Sequence, residues 1–206
     1  MTESQLQQIK SVVRDKLAPF PHSQHGLTHV QRVWHNAQRL ALELRQTDSH
    51  FLILLEATCY LHDLGNVKSS PLLLRYVFEA QWTLNLTTPL LKGINLPESE
   101  ISLINHAILR HPWSIPFHRL NKQQDILTQI LQDADSIDYF HPLRFLQPKV
   151  NLKSKSWGFL FLPIVYWYER FGQNHIHWFL NQPQFAPYAR TVYSHTWRFY
   201  LLLSPL

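Results

Sequence analysis

Cysteine is almost absent from this 206-residue chain. The single one, Cys59, cannot close an intramolecular disulfide and sits in an apolar run, so it reads as a small core residue in a reducing compartment. Long apolar stretches are missing as well. The longest nearly apolar run, residues 157–168, falls short of the roughly 20 residues that a membrane-crossing helix needs. The residues after Met1, "TESQLQQIKSVVRDKL", have neither a basic opening nor an unbroken apolar segment, which argues against a secretory signal. A soluble cytoplasmic protein is expected. Alternating apolar and polar runs bounded by hairpin turns are absent, as are internal repeats and low-complexity tracts, and this weighs against a sheet protein, a solenoid or a disordered chain.

Acidic residues are scarce in one region only. Residues 140–206 hold seven Lys or Arg and a single acid, Glu169, whereas residues 1–139 hold twelve bases and thirteen acids. The net charge of +5 is therefore C-terminal in origin. What is plentiful is apolar surface, 45% of residues against 16% charged, enough for one compact core in a chain of this length. Histidine is also abundant, with thirteen residues that cluster at His22, His25 and His29, at His106 and His111, and at His175 and His177. Imidazole is the commonest metal ligand as well as a base.

The apolar spacing is helical throughout. Leu27, Val30, Val33, Trp34, Ala37, Leu40, Ala41 and Leu44 form one stripe, with Thr28 and Gln31 as a capping box that places His29 in the first turn. Residues 51–61 are apolar almost all round and predict a central helix ended by Gly65, with His62 and Asp63 in its last turn. Ser70 and Pro71 open a helix through about Leu86. Asn95, Pro97 and Glu98 start another through Ile101, Ile104 and Ile108. Asn121 and Gln124 start a fifth through Ile126, Leu127, Ile130, Leu131 and Ala134, with Asp135 near its end. Beyond Pro142 the aromatic stretches 157–171, 176–180 and 188–203 read as helical or buried, interrupted by prolines 148, 163, 183 and 187. The expectation is an all-α fold in which residues 1–206 form a single domain, a multi-helix bundle with an aromatic-rich helical C-terminal extension.

An adjacent acid and base inside an apolar segment need an explanation, because a buried carboxylate is costly without a strong partner. Neighbouring helical residues project about 100° apart, so His62 and Asp63 can share an ion lying between their directions. His29 and Asp135, each near a helix end, could complete a nitrogen and oxygen ligand set. A mutual hydrogen bond within the pair, a capping role for His29 and a solvated Asp135 are the plainer readings of the same residues. The helix dipole disfavours Asp135 near a C-terminus, which favours a function for it.

The segments "HGLTHVQRV", "LHDLGN" and "QDADSID" resemble the HD-domain metal-dependent phosphohydrolases, whose signature is a histidine, a His-Asp pair and a later aspartate in this order. The resemblance covers about residues 22–140 as the bundle core and leaves 141–206 as the extension. It implies His29, His62, Asp63 and Asp135 as ligands of a divalent ion: manganese, iron, cobalt, nickel or magnesium, with zinc also compatible. His25 is the alternative to His29, although the His-x-x-Arg-Val spacing favours His29. The reaction implied is hydrolysis of a phosphate ester by an ion-activated water, with Asp63 touching that water. Arg32, one turn from His29, and Lys68, after the His-Asp turn, are candidates for holding phosphate. The plainer reading of both is an ordinary solvated cation, and for Lys68 the two readings are balanced.

His106 and His111 lie about 140° apart on a helix, so only one should address the site, and His111 beside Pro112 is the choice for binding phosphate or acting as acid. Asp133 and Asp138 flank Asp135 and could orient a ligand histidine, with a surface acid as the equal alternative for either. The segment "GNVKSS" lacks the acidic pair of the guanosine tetraphosphate hydrolases, and no Gly-Tyr-Pro motif of the cyclic dinucleotide phosphodiesterases is found. The expected substrate is a nucleotide or another small phosphate ester. The alternatives are a phosphodiesterase on cyclic or single-stranded nucleic acid and a non-catalytic nucleotide-binding module. Nucleic acid is the less favoured partner. Arg144, Lys149, Lys153, Lys155, Arg170, Arg190 and Arg198 interleave with Trp157, Trp167, Trp178 and Trp197 and could bind single strands, but a packed helical layer is the commoner outcome. Self-association into a homo-oligomer stays open.

Overall fold

The computed structural model describes residues 1–19, 25–67, 72–113, 123–139, 141 and 176–203, with backbone alone for 72–77, 113 and 195–203. All the regular structure among them is helical: α1 (Glu3–Leu17), α2 (Leu27–Glu43), α3 (Ser49–Leu61), α4 (Leu72–Gly93), α5 (Glu98–Arg110), α6 (Ile126–Asp138) and α7 (Ala186–Leu203), with short 3-10 turns between some of them. None of these helices is long and apolar enough to cross a membrane.

Two apolar clusters organise the packing. One joins α2, α3, α6 and α7 through Val33, Leu40, Leu55, Ile130, Ala189 and their neighbours. The other joins α1, α3 and α5 through Leu6, Ile9, Leu61, Ile104 and Ile108. Helix α3 serves both, and that is why its sequence is apolar almost all round beyond its first turn, where Ser49 and His50 meet solvent. Helix α1 is outside the expected set. It carries a capping box between Thr2 and Gln5 and buries Leu6, Ile9, Val13 and Leu17 at helical spacing.

Several helix ends differ from expectation. Helix α2 starts one residue before Thr28, with Gly26 at the N-cap and no side-chain cap; the Gly26 carbonyl accepts from His29 N at 3.0 Å and Val30 N at 3.2 Å. His29 stays in the first turn. Gly65 does not close α3 as a left-handed cap, since the helix ends at Leu61 with His62 in right-handed conformation at the C-cap and no described glycine has positive φ. Gly65 instead lies in a 3-10 turn, Leu64–Val67, pressed against α4. A Cβ there would come within 2.6 Å of Thr83 N and 2.7 Å of the Glu79 carbonyl oxygen. Close approach of two backbones requires the glycine.

Helix α4 runs to Gly93, beyond Leu86 and through Pro89; Ser70 and Pro71, expected to start it, lie outside the described residues. Asn95, expected to cap α5, has φ 57° and sits in the turn that closes α4, so Pro97 takes the N-cap of α5. Asp125, rather than the Asn121 and Gln124 pair, caps α6 by accepting from Thr128 N at 2.8 Å. Asn121 lies outside the described residues, as does the stretch 157–171. Residues 176–179 form a 3-10 turn with Ile176 buried, in keeping with the reading of 176–180 as helical or buried.

Candidate metal centre

Four helix ends and the turn after α3 converge on one buried cluster. His29 comes from the first turn of α2, His62 and Asp63 from the end of α3, His111 from the end of α5 and Asp135 from the last turn of α6. All five are buried. His29 Nε2 stands 3.2 Å from His62 Nε2, 3.0 Å from Asp63 Oδ2 and 3.5 Å from Asp135 Oδ1. His62 Nε2 is 3.4 Å from Asp63 Oδ2. On the other side of the same carboxylate, Asp63 Oδ1 is 3.5 Å from His111 Nε2.

The tautomers of the three rings follow from their second nitrogens. A backbone carbonyl only accepts, so His62 Nδ1–H donates to Cys59 O at 2.7 Å and His111 Nδ1–H to Ile108 O at 2.7 Å. His29 Nδ1 meets Asp138 Oδ2 at 2.7 Å, and that carboxylate is itself forked by Arg32, so the ring is the donor here too. When a ring so held is neutral, its Nε2 lone pair faces the cluster. Two such lone pairs at 3.2 Å, with carboxylates beside them, repel unless a positive charge lies between them.

With protons as the only cations, His62 takes that charge. Burial works to lower its pKa, but the charges of Asp63 and Asp135 and the Cys59 carbonyl push it up to about 9. Burial would raise the Asp63 carboxyl, yet the neighbouring His62 and His25 hold it well below the ordinary range. A divalent ion meets the same demand with more charge and suits imidazole and carboxylate donors. His29, His62 and Asp135, and likewise His62, Asp63 and His111, present donor atoms within 4.8 Å of one another, the spread a single ion can bridge.

Two further residues border the cluster. His25 Nδ1 lies 2.6 Å from Asp63 Oδ2 and 4.0 Å from Glu79 Oε1, and His25, His29 and Asp63 also present donor atoms within 4.8 Å of one another, so His25 stands beside His29 at the same aspartate. Glu79, from α4, also accepts from Asn66 Nδ2. Burial and the adjacent Asp63 charge push the Glu79 carboxyl up to about 9. Sequence reasoning did not find Glu79. Its one signal was that it is the only acid between Leu72 and Gly93.

The other anticipated residues divide. His106 points away, 48% exposed and 3.5 Å from Asp125 Oδ2, as its angular offset from His111 requires. Arg32 is engaged by Asp138, with Nε–Oδ1 at 2.6 Å and Nη2–Oδ2 at 3.1 Å. Asp138 touches His29, whereas Asp133 accepts from the backbone nitrogens of Asn181 and Gln182 and so serves the turn before α7, which corrects the expectation that it faces a ligand. Lys68 lies outside the described residues, as do Arg144, Lys149, Lys153, Lys155, Trp157, Trp167 and Arg170 and the side chains of Trp197 and Arg198.

The family model for the HD domain matches residues 26–139, more than half of the chain. No curated protein and no solved structure matches. The matched span runs from the turn before α2 to the residue after α6 and so takes in the buried His29, His62, Asp63, His111 and Asp135 cluster, and with the all-helical fold it means that the chain belongs to the HD-domain family of the metal-dependent phosphohydrolase superfamily.

Proposed function

We propose that the protein is a metal-dependent phosphohydrolase acting on a small phosphate ester, most simply a nucleotide, with His29, His62, Asp63 and Asp135 as the ligands of one divalent ion. The observation that carries this reading is the 3.2 Å approach of the His29 and His62 Nε2 atoms beside two buried carboxylates. An ion bound there would supply Lewis acidity, lowering the pKa of a water and offsetting phosphate charge. Nitrogen and oxygen donors without thiolate favour a transition metal such as manganese, iron, cobalt or nickel over a purely oxygen-seeking ion.

The chain's own groups divide the remaining work. Asp63 presents Oδ2 toward His29 and His62 and Oδ1 toward His111, so it can hold the ion and orient the attacking water together. His111, held by the Ile108 carbonyl with Nε2 toward Asp63, would donate to a phosphate oxygen only with a second proton on Nε2, and so would act as an imidazolium at that step. The burial of the cluster keeps bulk water from competing for these donors. Lys68 is retained as a phosphate-binding candidate on its position after the His-Asp turn. We read residues 1–206 as a single unit, because Phe185, Ala189 and Tyr193 from the C-terminal region pack in the same apolar cluster as α2, α3 and α6.

The test is metal analysis of the purified protein followed by a phosphate-release screen over nucleotides, sugar phosphates and phosphodiesters. Asp63→Asn and His62→Ala should each abolish turnover while circular dichroism retains the helical signal. A metal-loaded wild type that releases no phosphate from the panel would move a non-catalytic nucleotide-binding role ahead. Full activity in Asp63→Asn would overturn the ligand assignment.

A further inference from the structure

Two helix-spaced pairs interlock across the α2 and α6 packing. On α2, His29 and Arg32 are three residues apart; on α6, Asp135 and Asp138 are three apart. Each pair therefore projects from one face of its helix. His29 meets both aspartates, at 3.5 Å for Asp135 Oδ1 through Nε2 and at 2.7 Å for Asp138 Oδ2 through Nδ1. Arg32 closes the figure by forking Asp138 at 2.6 and 3.1 Å. His29 and Asp138 are fully buried, and the Arg32 side chain is 19% exposed.

From this geometry we infer that Asp138 and Arg32 are positioning residues for the metal ligand His29: Asp138 holds the imidazole proton on Nδ1 and the ring in place, and Arg32 holds Asp138. The inference rests on the ligand role proposed for His29 and assigns Arg32 to this task instead of to phosphate binding. Its physical basis has three parts. Asp138 Oδ2 can only accept from the ring, so the opposite nitrogen keeps its lone pair for a cation. A carboxylate buried this deeply needs a charged partner, and the Arg32 fork both supplies the charge and fixes the plane of the carboxylate. The ring is thereby held with its Nε2 directed at His62 and Asp63 before any ion arrives, which lowers the ordering cost of binding one.

The experiment is a titration of the metal-stripped full-length protein with Mn2+ by calorimetry and with Co2+ by visible absorption, for wild type, Asp138→Asn, Arg32→Gln and the double variant. Removal of a group that orients a ligand histidine commonly lowers metal affinity by about 10- to 100-fold, and Asp138→Asn should fall in that range with an altered Co2+ spectrum. Arg32→Gln should weaken binding in the same direction. Because Arg32 acts through Asp138, adding Arg32→Gln to Asp138→Asn should change affinity by less than about twofold beyond the single variant. The double variant leaves no unpaired buried charge and serves if Asp138→Asn alone does not fold. Wild type that binds neither ion would defeat the proposed function itself. Wild type that binds while Asp138→Asn keeps the same affinity and spectrum would defeat the role of Asp138, and additive losses in the double variant would defeat that of Arg32.

Discussion

Asp63 faces two ways: its Oδ2 lies 2.6 Å from His25 Nδ1 and its Oδ1 lies 3.5 Å from His111 Nε2, so one carboxylate joins the turn before α2 to the end of α5. Its position just past the end of α3 makes this reach feasible, because a residue released from the helix is no longer confined to one face.

Metal removal should lower thermal stability. An ion bound only by the folded state at about 100 times its dissociation constant adds roughly 2.7 kcal/mol, which for a domain of this size corresponds to a Tm shift of roughly 5–10 °C. Thermal melts with chelator, then with Mn2+ restored, should show that loss and its recovery. Identical melts would mean that the cluster does not take up an ion under those conditions.

Gly65→Ala should destabilise the protein by about 1–3 kcal/mol, because the new methyl group meets the α4 backbone at Thr83 N and Glu79 O rather than a side chain that can turn aside. It should also disturb the cluster, since Gly65 N donates to Thr83 Oγ1 at 2.9 Å and the adjacent Asn66 donates to Glu79. The midpoint of urea unfolding measures the first effect and Mn2+ affinity the second. A midpoint unchanged from wild type would show that the two backbones can separate at no cost.

Cys59 should resist thiol reagents in the native state. Burial, with Glu56 and Asp135 adding to it, raises its pKa well above the ordinary value. The unfolded thiol titrates near about 8.5. Between that value and the raised native one the unfolded state holds fewer protons, so stability should fall as pH rises above about 8.5, by at most about 1.4 kcal/mol per pH unit for this group. A disulfide reagent at pH 8 should label the protein only in denaturant. Rapid labelling of the folded protein would contradict the burial.

Tyr188→Phe should cost about 1 kcal/mol. The Tyr188 hydroxyl donates to Asn36 Oδ1 at 2.7 Å, and Asn36 Nδ2 donates to the Ala134 carbonyl at 3.1 Å, so the change leaves a buried acceptor unpaired while Arg39 can still stack on the ring. Chemical denaturation should show the loss, and activity should persist. An unchanged midpoint would mean that water replaces the hydroxyl freely.

How much of this was legible beforehand depends on the range of the interaction. Helix positions were readable where an apolar stripe repeats, as in α2 and α3, because side-chain periodicity is local. Helix ends were less so. Thr28 and Asn95 look like caps in isolation, but Gly26 and Pro97 hold those positions, since a cap is decided by where the chain must turn to pack. The histidine and aspartate residues of the cluster were readable by type and order.

The sequence by itself determined an all-helical chain with chemically capable residues at helix ends, and the angular offset between His106 and His111 already meant that only one of them should face the cluster. Only the tertiary structure decided which partners those residues have. Glu79 reaches the cluster because the Gly65 turn lets α4 come close, Arg32 meets Asp138 across 106 positions of chain, and Asp133 turns to residues 181 and 182 although it lies only two positions from Asp135. Those pairings depend on how helices rotate and approach as they bury their apolar faces, a balance of surface and shape over the whole chain that no local spacing encodes.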